Sequence, residues 1–174
     1  MPANVLATLN LVDLLLDAVC VVDAQGRYLF VSPAYERIFG YAAEDVVGRP
    51  MIELVHPADR ERTLEAARDI MSGRDQFHFE NRYVRKDGRI AHIRWTARWL
   101  SGPGVRVAVA HDISQRKRQE AVQAVLHAIS EAAHTAPGLH ALCVQICELI
   151  GRLIPSEGCT IALYDASAQT LSFP

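Results

Sequence analysis

The sequence predicts an α+β domain, and three observations lead to that fold class. Strand-like segments are grouped on both sides of a helical stretch, a separation of strands from helices that is typical of α+β folds. Two turns that contain glycine, Asp23–Gly26 and Lys86–Gly88, each lie between apolar segments and predict hairpins. Residues 90–100 alternate between apolar and polar side chains, which predicts a strand with one buried face.

Two short apolar strands, Val19–Val22 and Tyr28–Val31, are predicted after a leucine-rich helix over residues 5–16. Both strands carry apolar side chains on both faces, so the face turned away from the core also needs a cover. We expect either the leucine-rich helix or a partner subunit to supply it. The predicted outer face comprises Val19, Val21, Tyr28, Phe30, Val107 and Val109.

Helical segments follow the second strand. The dipeptide Ser32-Pro33 begins the first helix as N-cap and first helical residue, and Gly40 ends it. Two short helical turns are predicted within residues 43–54. A longer helix is predicted from His56 to Gly73.

Three further strands are predicted at residues 76–85, 90–100 and 105–110. Asn81 is the one amide on the predicted inner face of its strand, where it bonds either a ligand or the backbone. Phe77, Phe79 and Tyr83 are predicted on the same face as Asn81. The predicted inner residues of the middle strand are Ala91, Ile93, Trp95, Ala97 and Trp99.

Composition argues against several classes of function. A net charge of −2 over 174 residues is not typical of a general nucleic-acid binder. The N-terminal segment lacks a basic region, and Asp13 and Asp17 interrupt its apolar run, so we expect neither a signal peptide nor a membrane span. Four cysteines without an export signal indicate reduced thiols and a cytoplasmic location.

Catalysis and metal binding are not expected in this chain. No Ser-His-Asp arrangement, Gly-rich phosphate loop or pair of carboxylates stands out in the sequence. His140, Cys143 and Cys147 lie at helical spacing, but apolar residues share their face and a second ligand pair is missing, so we predict no metal site. Cys20 is expected to be a core residue rather than a nucleophile.

Four stretches of the sequence resemble the PAS sensor domain of the S-box type: VVDAQGRYLFVSPAYERIFGY, VVGRPMIELVHPADRE, ENRYVRKDGRIAHIRW and VAVAHDISQRKRQE. They lie within about residues 14–120, in the order that the family has. The resemblance implies a five-stranded antiparallel sheet with strand order 2-1-5-4-3. It also implies short helices on one face of the sheet, which enclose a small-molecule pocket.

The resemblance implies four segments along the chain. Residues 1–17 would form an N-terminal capping helix, residues 18–114 the PAS domain, and residues 115–136 a signalling or linker helix. Residues 137–174 resemble the N-terminal part of a GAF domain, with a helix and two strands. Because a GAF sheet has more strands than this, we expect the parent protein to be longer or the chain to be truncated.

The strand alternation and the pocket positions of the family together predict one cavity or packed core between the sheet and the helices. Its ligand would be an unidentified small apolar or amphipathic molecule. The predicted pocket residues are Cys20, Val22, Val31, Tyr35, Asn81, Tyr83, Ile93, Trp95 and Ala110.

No cofactor is predicted, because this chain departs from relatives of known cofactor chemistry at two positions. Flavin photosensors of the superfamily have a reactive cysteine where this chain has Met51, so we do not expect flavin–thiol photochemistry. Haem-binding members have an axial histidine where this chain has Arg62. The purified protein is therefore expected to be colourless.

The tripeptide Asp112-Ile113-Ser114 resembles the Asp-Ile-Thr signature of the family, with serine in the last position. Asp112 and Ser114 either only cap the helix that follows or also relay a signal into it. A direct strand-to-helix junction favours the relay, because a flexible linker would absorb a small shift of the sheet.

The helix after this junction carries apolar residues at heptad spacing, which predicts a parallel dimer seam. The seam residues are Val122, Val125 and Ile129, followed by Ala132. The alternative is an amphipathic helix that packs on its own chain.

Two functions are consistent with these observations. The first is a sensory input module of a bacterial signal-transduction protein, such as a histidine kinase or a diguanylate cyclase. It would bind a small molecule, form a homodimer and act on a downstream output domain. The alternative is a ligand-free PAS domain that serves dimerisation and relay. Neither a nucleic acid nor a membrane is an expected partner of this segment.

Overall fold

The computed structural model describes residues 11–74, 76–153 and 158–173, and the chain divides into two units, residues 1–114 and 115–174. Most of the predicted leucine-rich helix lies outside the described residues. Its last part, Leu11–Leu14, forms a single 3₁₀ turn.

The first unit contains a five-stranded antiparallel sheet with the strand order β2-β1-β5-β4-β3, which confirms the predicted fold class. The first two strands form a hairpin, and β5 lies between β1 and β4 at the centre of the sheet. The strands are β1 (Ala18–Asp23), β2 (Tyr28–Val31), β3 (Gln76–Val84), β4 (Ile90–Leu100) and β5 (Val105–Asp112).

Short helices occupy the chain between β2 and β3. They are α1 (Pro33–Phe39), α2 (Ala43–Val46) and α3 (Arg60–Met71), with 3₁₀ turns at Met51–Glu53 and Pro57–Asp59. These elements are short because proline and glycine interrupt the segment repeatedly.

Ser32 and Gly40 mark the ends of α1, as the sequence predicts. Gly40 adopts a left-handed conformation with φ of 78°, which favours glycine at this position. Ser32 is the N-cap residue by position, but its hydroxyl does not cap the helix. Its Oγ instead accepts a hydrogen bond of 3.0 Å from the backbone N–H of Val19, and this bond joins α1 to β1.

A β-bulge in the first hairpin corrects the predicted outer face. The register pairs Val21 with Phe30 but Val22 with Tyr28, so Leu29 has no partner on β1. The extra residue reverses the alternation of side chains. Tyr28 consequently points into the core and is almost fully buried, whereas Leu29 and Phe30 are both exposed.

A second irregularity lies at the start of β3. His78 has a φ of 71°, and the pairing with β4 shifts between Phe77 and Phe79. Beyond this bulge the strand alternates regularly, and Asn81 and Tyr83 are buried. β4 follows its predicted alternation, with Ala91, Ile93, Trp95 and Ala97 buried and Trp99 half-buried.

Aromatic side chains fill much of the space between the sheet and α1. The ring of Tyr35 lies 5.4 Å from Tyr28 and 4.3 Å from Phe39, measured between centroids. Tyr83 then lies 5.3 Å from Phe39 and 5.4 Å from Trp95. These distances are typical of favourable ring pairs, so the five rings form one continuous cluster.

One buried ion pair joins the beginning of α3 to β3. Asp59 is 3% exposed, and its carboxylate accepts hydrogen bonds from the backbone N–H, the Nε and the Nη2 of Arg82, at 2.8, 3.0 and 2.8 Å. The hydrogen bonds from Arg82 hold the pKa of Asp59 well below its ordinary value of 3.8, although burial alone would raise it.

The described part of the second unit contains two helices and a hairpin. Helix α4 (Ser114–Thr135) begins at the last residue of the first unit, and α5 (Leu139–Leu153) follows it. Strands β6 (Leu163–Asp165) and β7 (Thr170–Ser172) pair antiparallel.

Replacing Asp59 by asparagine tests the ion pair. We expect Asp59→Asn to lower the free energy of unfolding by about 2–3 kcal/mol at pH 7, because Arg82 loses its anion. This figure lies below that of a fully buried pair because 39% of the Arg82 side chain is exposed. Urea denaturation of both proteins measures the difference.

The pH dependence of that difference provides the control. A carboxyl group whose folded pKa is lowered stabilises the protein above its unfolded pKa, and this stabilisation is lost as the pH falls toward the folded value. The difference between wild type and Asp59→Asn should therefore be constant above about pH 5 and shrink below pH 3.8. A difference that does not change with pH would contradict an ionic origin.

Candidate functional site

A cavity of about 50 Å³ lies between the inner face of the sheet, the helix α3 and the 3₁₀ turn at Met51. Five of the predicted pocket residues line it: Cys20, Val22, Asn81, Tyr83 and Trp95. Its volume is well below the roughly 300–1,000 Å³ of a site for a drug-sized ligand. In the conformation described here it has room for a small group of atoms.

The other four predicted pocket residues belong to the surrounding core. Val31, Tyr35, Ile93 and Ala110 are all buried, with exposures of 6% or less, but they do not line the cavity. They pack behind the lining residues and hold them in position.

Several lining residues were not predicted from the sequence. Tyr28 reaches the cavity because of the bulge in β2, and Thr63 reaches it from α3. Arg106 lies on the inner face of β5, beside Val22 on β1. Its position has the same parity as Ala108 and Ala110, so strand alternation was a signal that could have identified it.

A chain of hydrogen bonds crosses one side of the cavity. The indole Nε1 of Trp95 donates to Oδ1 of Asn81 at 2.8 Å, and Nδ2 of Asn81 donates to Oγ1 of Thr63 at 3.0 Å. The Thr63 hydroxyl donates to the backbone carbonyl of Asp59 at 2.6 Å. The side chain of Asn81 thus bonds two neighbouring side chains.

The thiol and the phenols around the cavity are neutral near pH 7. Burial raises the pKa of Cys20 to about 12, so the thiol is a poor nucleophile at that pH. Burial also raises the pKa values of Tyr28 and Tyr83 above their ordinary value of 10. The hydroxyl of Tyr35 donates to that of Tyr28 at 2.9 Å.

Met51 and Arg62, which replace the cofactor-binding residues of some relatives, lie in different environments. Met51 lines the cavity and is 8% exposed. Half of the Arg62 side chain is exposed, its Nη2 lies 3.3 Å from a carboxylate oxygen of Asp59, and its guanidinium carbon lies 5.4 Å above the ring centre of Phe79.

The junction between β5 and α4 is held by several hydrogen bonds within the first unit. Oδ1 of Asp112 accepts from the backbone N–H of Ser114 at 2.8 Å, as a helix cap does. Oγ of Ser114 accepts from the backbone N–H of His92 at 2.9 Å, and the N–H of Ile113 donates to the carbonyl of His92 at 2.9 Å.

Arg85 connects this junction to the aromatic core. Its Nη2 donates to Oδ2 of Asp112 at 2.7 Å, and its Nη1 donates to the backbone carbonyl of Ile38 in α1. Burial raises the pKa of Asp112, but the hydrogen bonds from Ser114 and Arg85 outweigh burial, and the net pKa lies below 3.8. Asp112 is therefore an anion near pH 7, with a partner on each oxygen.

The predicted seam residues on α4 differ in exposure. Val122 is 41% exposed, whereas Val125 and Ile129 are half-buried.

Within the described ranges, no group of three or more histidine, cysteine, aspartate or glutamate side chains is arranged to hold a metal ion. The described helices include none with the length and apolar character that crossing a membrane requires.

Residues 8–113 match the family model described as the PAS fold. A solved PAS domain from Colwellia psychrerythraea is similar, with 27% sequence identity and a TM-score of 0.55, over 60% of this chain and 92% of that one.

Two curated relatives align over about three fifths of this chain. The sensor histidine kinase TmoS of Ectopseudomonas mendocina is 26% identical over 107 residues, which are 59% of this chain and 11% of that protein. An uncharacterised protein of Azorhizobium caulinodans is 34% identical over 116 residues, which are 61% of this chain and 15% of that protein. The chain thus spans only a small part of the length of either relative.

Thr63→Val tests the hydrogen-bond chain. The substitution keeps the volume of the side chain but removes the acceptor of Asn81 and the donor to the Asp59 carbonyl. We expect a loss of roughly 1–3 kcal/mol in the free energy of unfolding, because buried polar groups remain unsatisfied. The control is Thr96→Val on the exposed face of β4, which should change stability by less than about 0.5 kcal/mol. Equal effects of the two substitutions would contradict the role assigned to Thr63.

Proposed function

This chain belongs to the PAS family. We propose that its PAS domain binds a small molecule in the cavity lined by Trp95 and Asn81, as a sensor domain like those of sensor histidine kinases. Binding would alter the junction at Asp112 and Ser114 and thereby act on a downstream output domain. The observation that carries the proposal is the position of Arg85, which bonds both α1 and Asp112.

The contacts around Arg85 support a short path from the cavity to the helix. Tyr83 lines the cavity and contacts Phe39, the last residue of α1. Arg85 binds the carbonyl of Ile38, directly before Phe39, and its other nitrogen binds Asp112. A ligand that moved Tyr83 or Phe39 would therefore shift Arg85 and change its hydrogen bond to Asp112, the residue that caps α4.

The second part of the proposal concerns the parent protein. We propose that α4 serves as the signalling helix and that residues 137–174 begin a GAF-like domain. A histidine kinase or a diguanylate cyclase would follow as the output enzyme. Support comes from the relative TmoS, a sensor histidine kinase that is much longer than this chain. Four free cysteines are consistent with the reducing cytoplasm as the proposed location.

The proposed ligand is not a flavin that reacts with a thiol, nor a haem bound through a histidine. Met51 lines the cavity but has no thiol, and the Cys20 thiol is held protonated by burial. Arg62, at the position considered for an axial ligand, is a permanent cation that cannot coordinate iron through a lone pair.

A ligand-free domain for dimerisation and relay is the second candidate function. The small volume of the cavity favours it, since about 50 Å³ leaves no room for a cofactor-sized molecule without rearrangement. The occupant proposed for the apolar outer surface is a second copy of this chain. Leu29 and Phe30 are 49% and 40% exposed on β2. In the second unit, Val122 on α4 is 41% exposed.

Native mass spectrometry of the purified protein tests ligand and subunit count together. We expect the mass of a dimer with one small molecule per subunit, and we expect Ala108→Leu to dimerise without it, because the larger side chain fills the cavity. An empty wild-type dimer would favour the ligand-free function. An empty wild-type monomer would contradict both functions.

Hydrogen exchange of Arg85→Gln tests the relay. The substitution removes the cation from Asp112 but leaves the cap on Ser114, so we expect the amides of Ile113 and Ser114 to exchange about ten-fold faster or more. The matched control is Arg89→Gln, because Arg89 pairs with the exposed Asp87 in the neighbouring turn. Unchanged exchange at Ile113 and Ser114 in Arg85→Gln would contradict a mechanical role for Arg85.

A further inference from the structure

Arg106 is a cation in the lining of an otherwise apolar cavity. It lies on the central strand β5, where the register places it opposite Val22 on β1 and Trp99 on β4. The whole residue is only 6% exposed, and it borders the cavity together with Ala108 and Cys20. A long charged side chain is rarely buried to this extent without a charged partner.

The described contacts of Arg106 do not include a carboxylate. Its Nη2 donates to the sulfur of Met51 at 2.8 Å, and this is the one side-chain hydrogen bond of Arg106 within the part of the chain that the structure describes. A thioether sulfur is a weak, neutral acceptor. A guanidinium has five N–H donors in a planar fork, so most of its binding capacity is unused by the described residues.

The groups around Arg106 also fail to supply a negative charge. Cys20, Tyr28 and Tyr83 line the same cavity, and burial raises the pKa of each, so all three are neutral near pH 7. Burial also lowers the pKa of Arg106 itself, as expected for a charge removed from water. An anion in the cavity would remove this penalty.

We propose that the cavity binds a small organic acid with one carboxylate and a short apolar chain, and that Arg106 pairs with the carboxylate. The proposal deepens the sensor function and rests on it. The planar fork of a guanidinium matches a carboxylate, with two parallel N–H···O bonds. Ala97, Ala108 and Ile70 offer an apolar surface to the chain of the ligand.

The dimensions of the cavity limit the length of the acid. About 50 Å³ accommodates a carboxylate group with a short chain, and only an acid of that size enters without displacing side chains. Met51 is the side chain best able to move, because it is unbranched and has a flexible thioether. Its displacement would also release the Nη2 of Arg106 for the ligand.

Binding of a chemical series to the 174-residue protein tests the proposal. The probes are acetate, butanoate, hexanoate and octanoate, each compared with the primary alcohol of the same chain length, by calorimetry and thermal unfolding at constant ionic strength. We expect the acids to bind and to raise the melting temperature, with an affinity that rises about four-fold per methylene until the cavity is filled. The matched alcohols should bind at least ten-fold more weakly.

Arg106→Met tests whether Arg106 binds the carboxylate of the acids. Arg94→Met is the control, because it makes the same change of charge on β4, on the outer face of the sheet. We expect Arg106→Met to lose the preference for acids and to bind the alcohols at least as well as the wild type. Its melting temperature without ligand should equal or exceed that of the wild type, because a buried charge without an anion has been removed. Arg94→Met should keep the preference for acids.

Met51→Leu keeps the test decisive if Arg106→Met does not fold. Since the leucine leaves Arg106 without its sulfur partner, acids should bind this variant at least as tightly as the wild type. If the acids bound neither the wild type nor Met51→Leu, that result would overturn the proposal. So would equal binding of acids and alcohols, but that result would leave a ligand-binding sensor in place. An empty cavity in native mass spectrometry, together with no binding of either series, would overturn the sensor function as well.

Discussion

Among the described residues of the first unit, the inner face of the five-stranded sheet is covered by short helices and 3₁₀ turns, and the packing of the core depends on this constraint. The helices α1, α2 and α3 have seven, four and twelve residues, too few to cover five strands with a continuous layer. Aromatic rings fill much of the gap, because each ring contributes a large area from one backbone position. Where alanines line the sheet and α3, a cavity is left.

Two polar side chains inside this core, Asn81 and Arg106, differ in their hydrogen-bond partners. Asn81 is fully engaged in a chain from Trp95 to Thr63, so it stiffens the link between β3, β4 and α3. Arg106 has only a neutral sulfur as its described partner. Both side chains lie in the same layer of the molecule. The contrast separates a polar residue with a structural role from the one that we propose binds a ligand.

The end of β5 is hydrogen-bonded to its neighbours at the point where the chain passes into α4. Ile113 is the only residue between β5 and α4, and its N–H is bonded to β4. Oδ1 of Asp112 accepts a hydrogen bond from the N–H of Ser114, and Oγ of Ser114 accepts one from the N–H of His92 on β4. Arg85 adds a connection from α1 to the same point.

Strand periodicity determined the sheet and much of its inner face without any structural information. The alternation along β4 places Trp95 and Ile93 in the core, and the Asp-Gly turn before it defines a hairpin. These features are local, since they depend on a two-residue period and on the φ preference of glycine. The motif resemblance supplied the strand order, which local patterns cannot supply.

Only the tertiary structure decided the positions of Tyr28 and Arg106. A bulge opposite Val21 and Val22 turns Tyr28 inward, and a bulge depends on how two strands pair rather than on the sequence of either one. Arg106 has the parity of a core position, but an arginine in a strand is ordinarily expected to face water. Its burial follows from the place of β5 at the centre of the sheet, with a neighbouring strand on each side and Met51 in contact with its guanidinium. The sequence contains Met51 and Arg106, but their proximity arises from a contact between segments 55 positions apart.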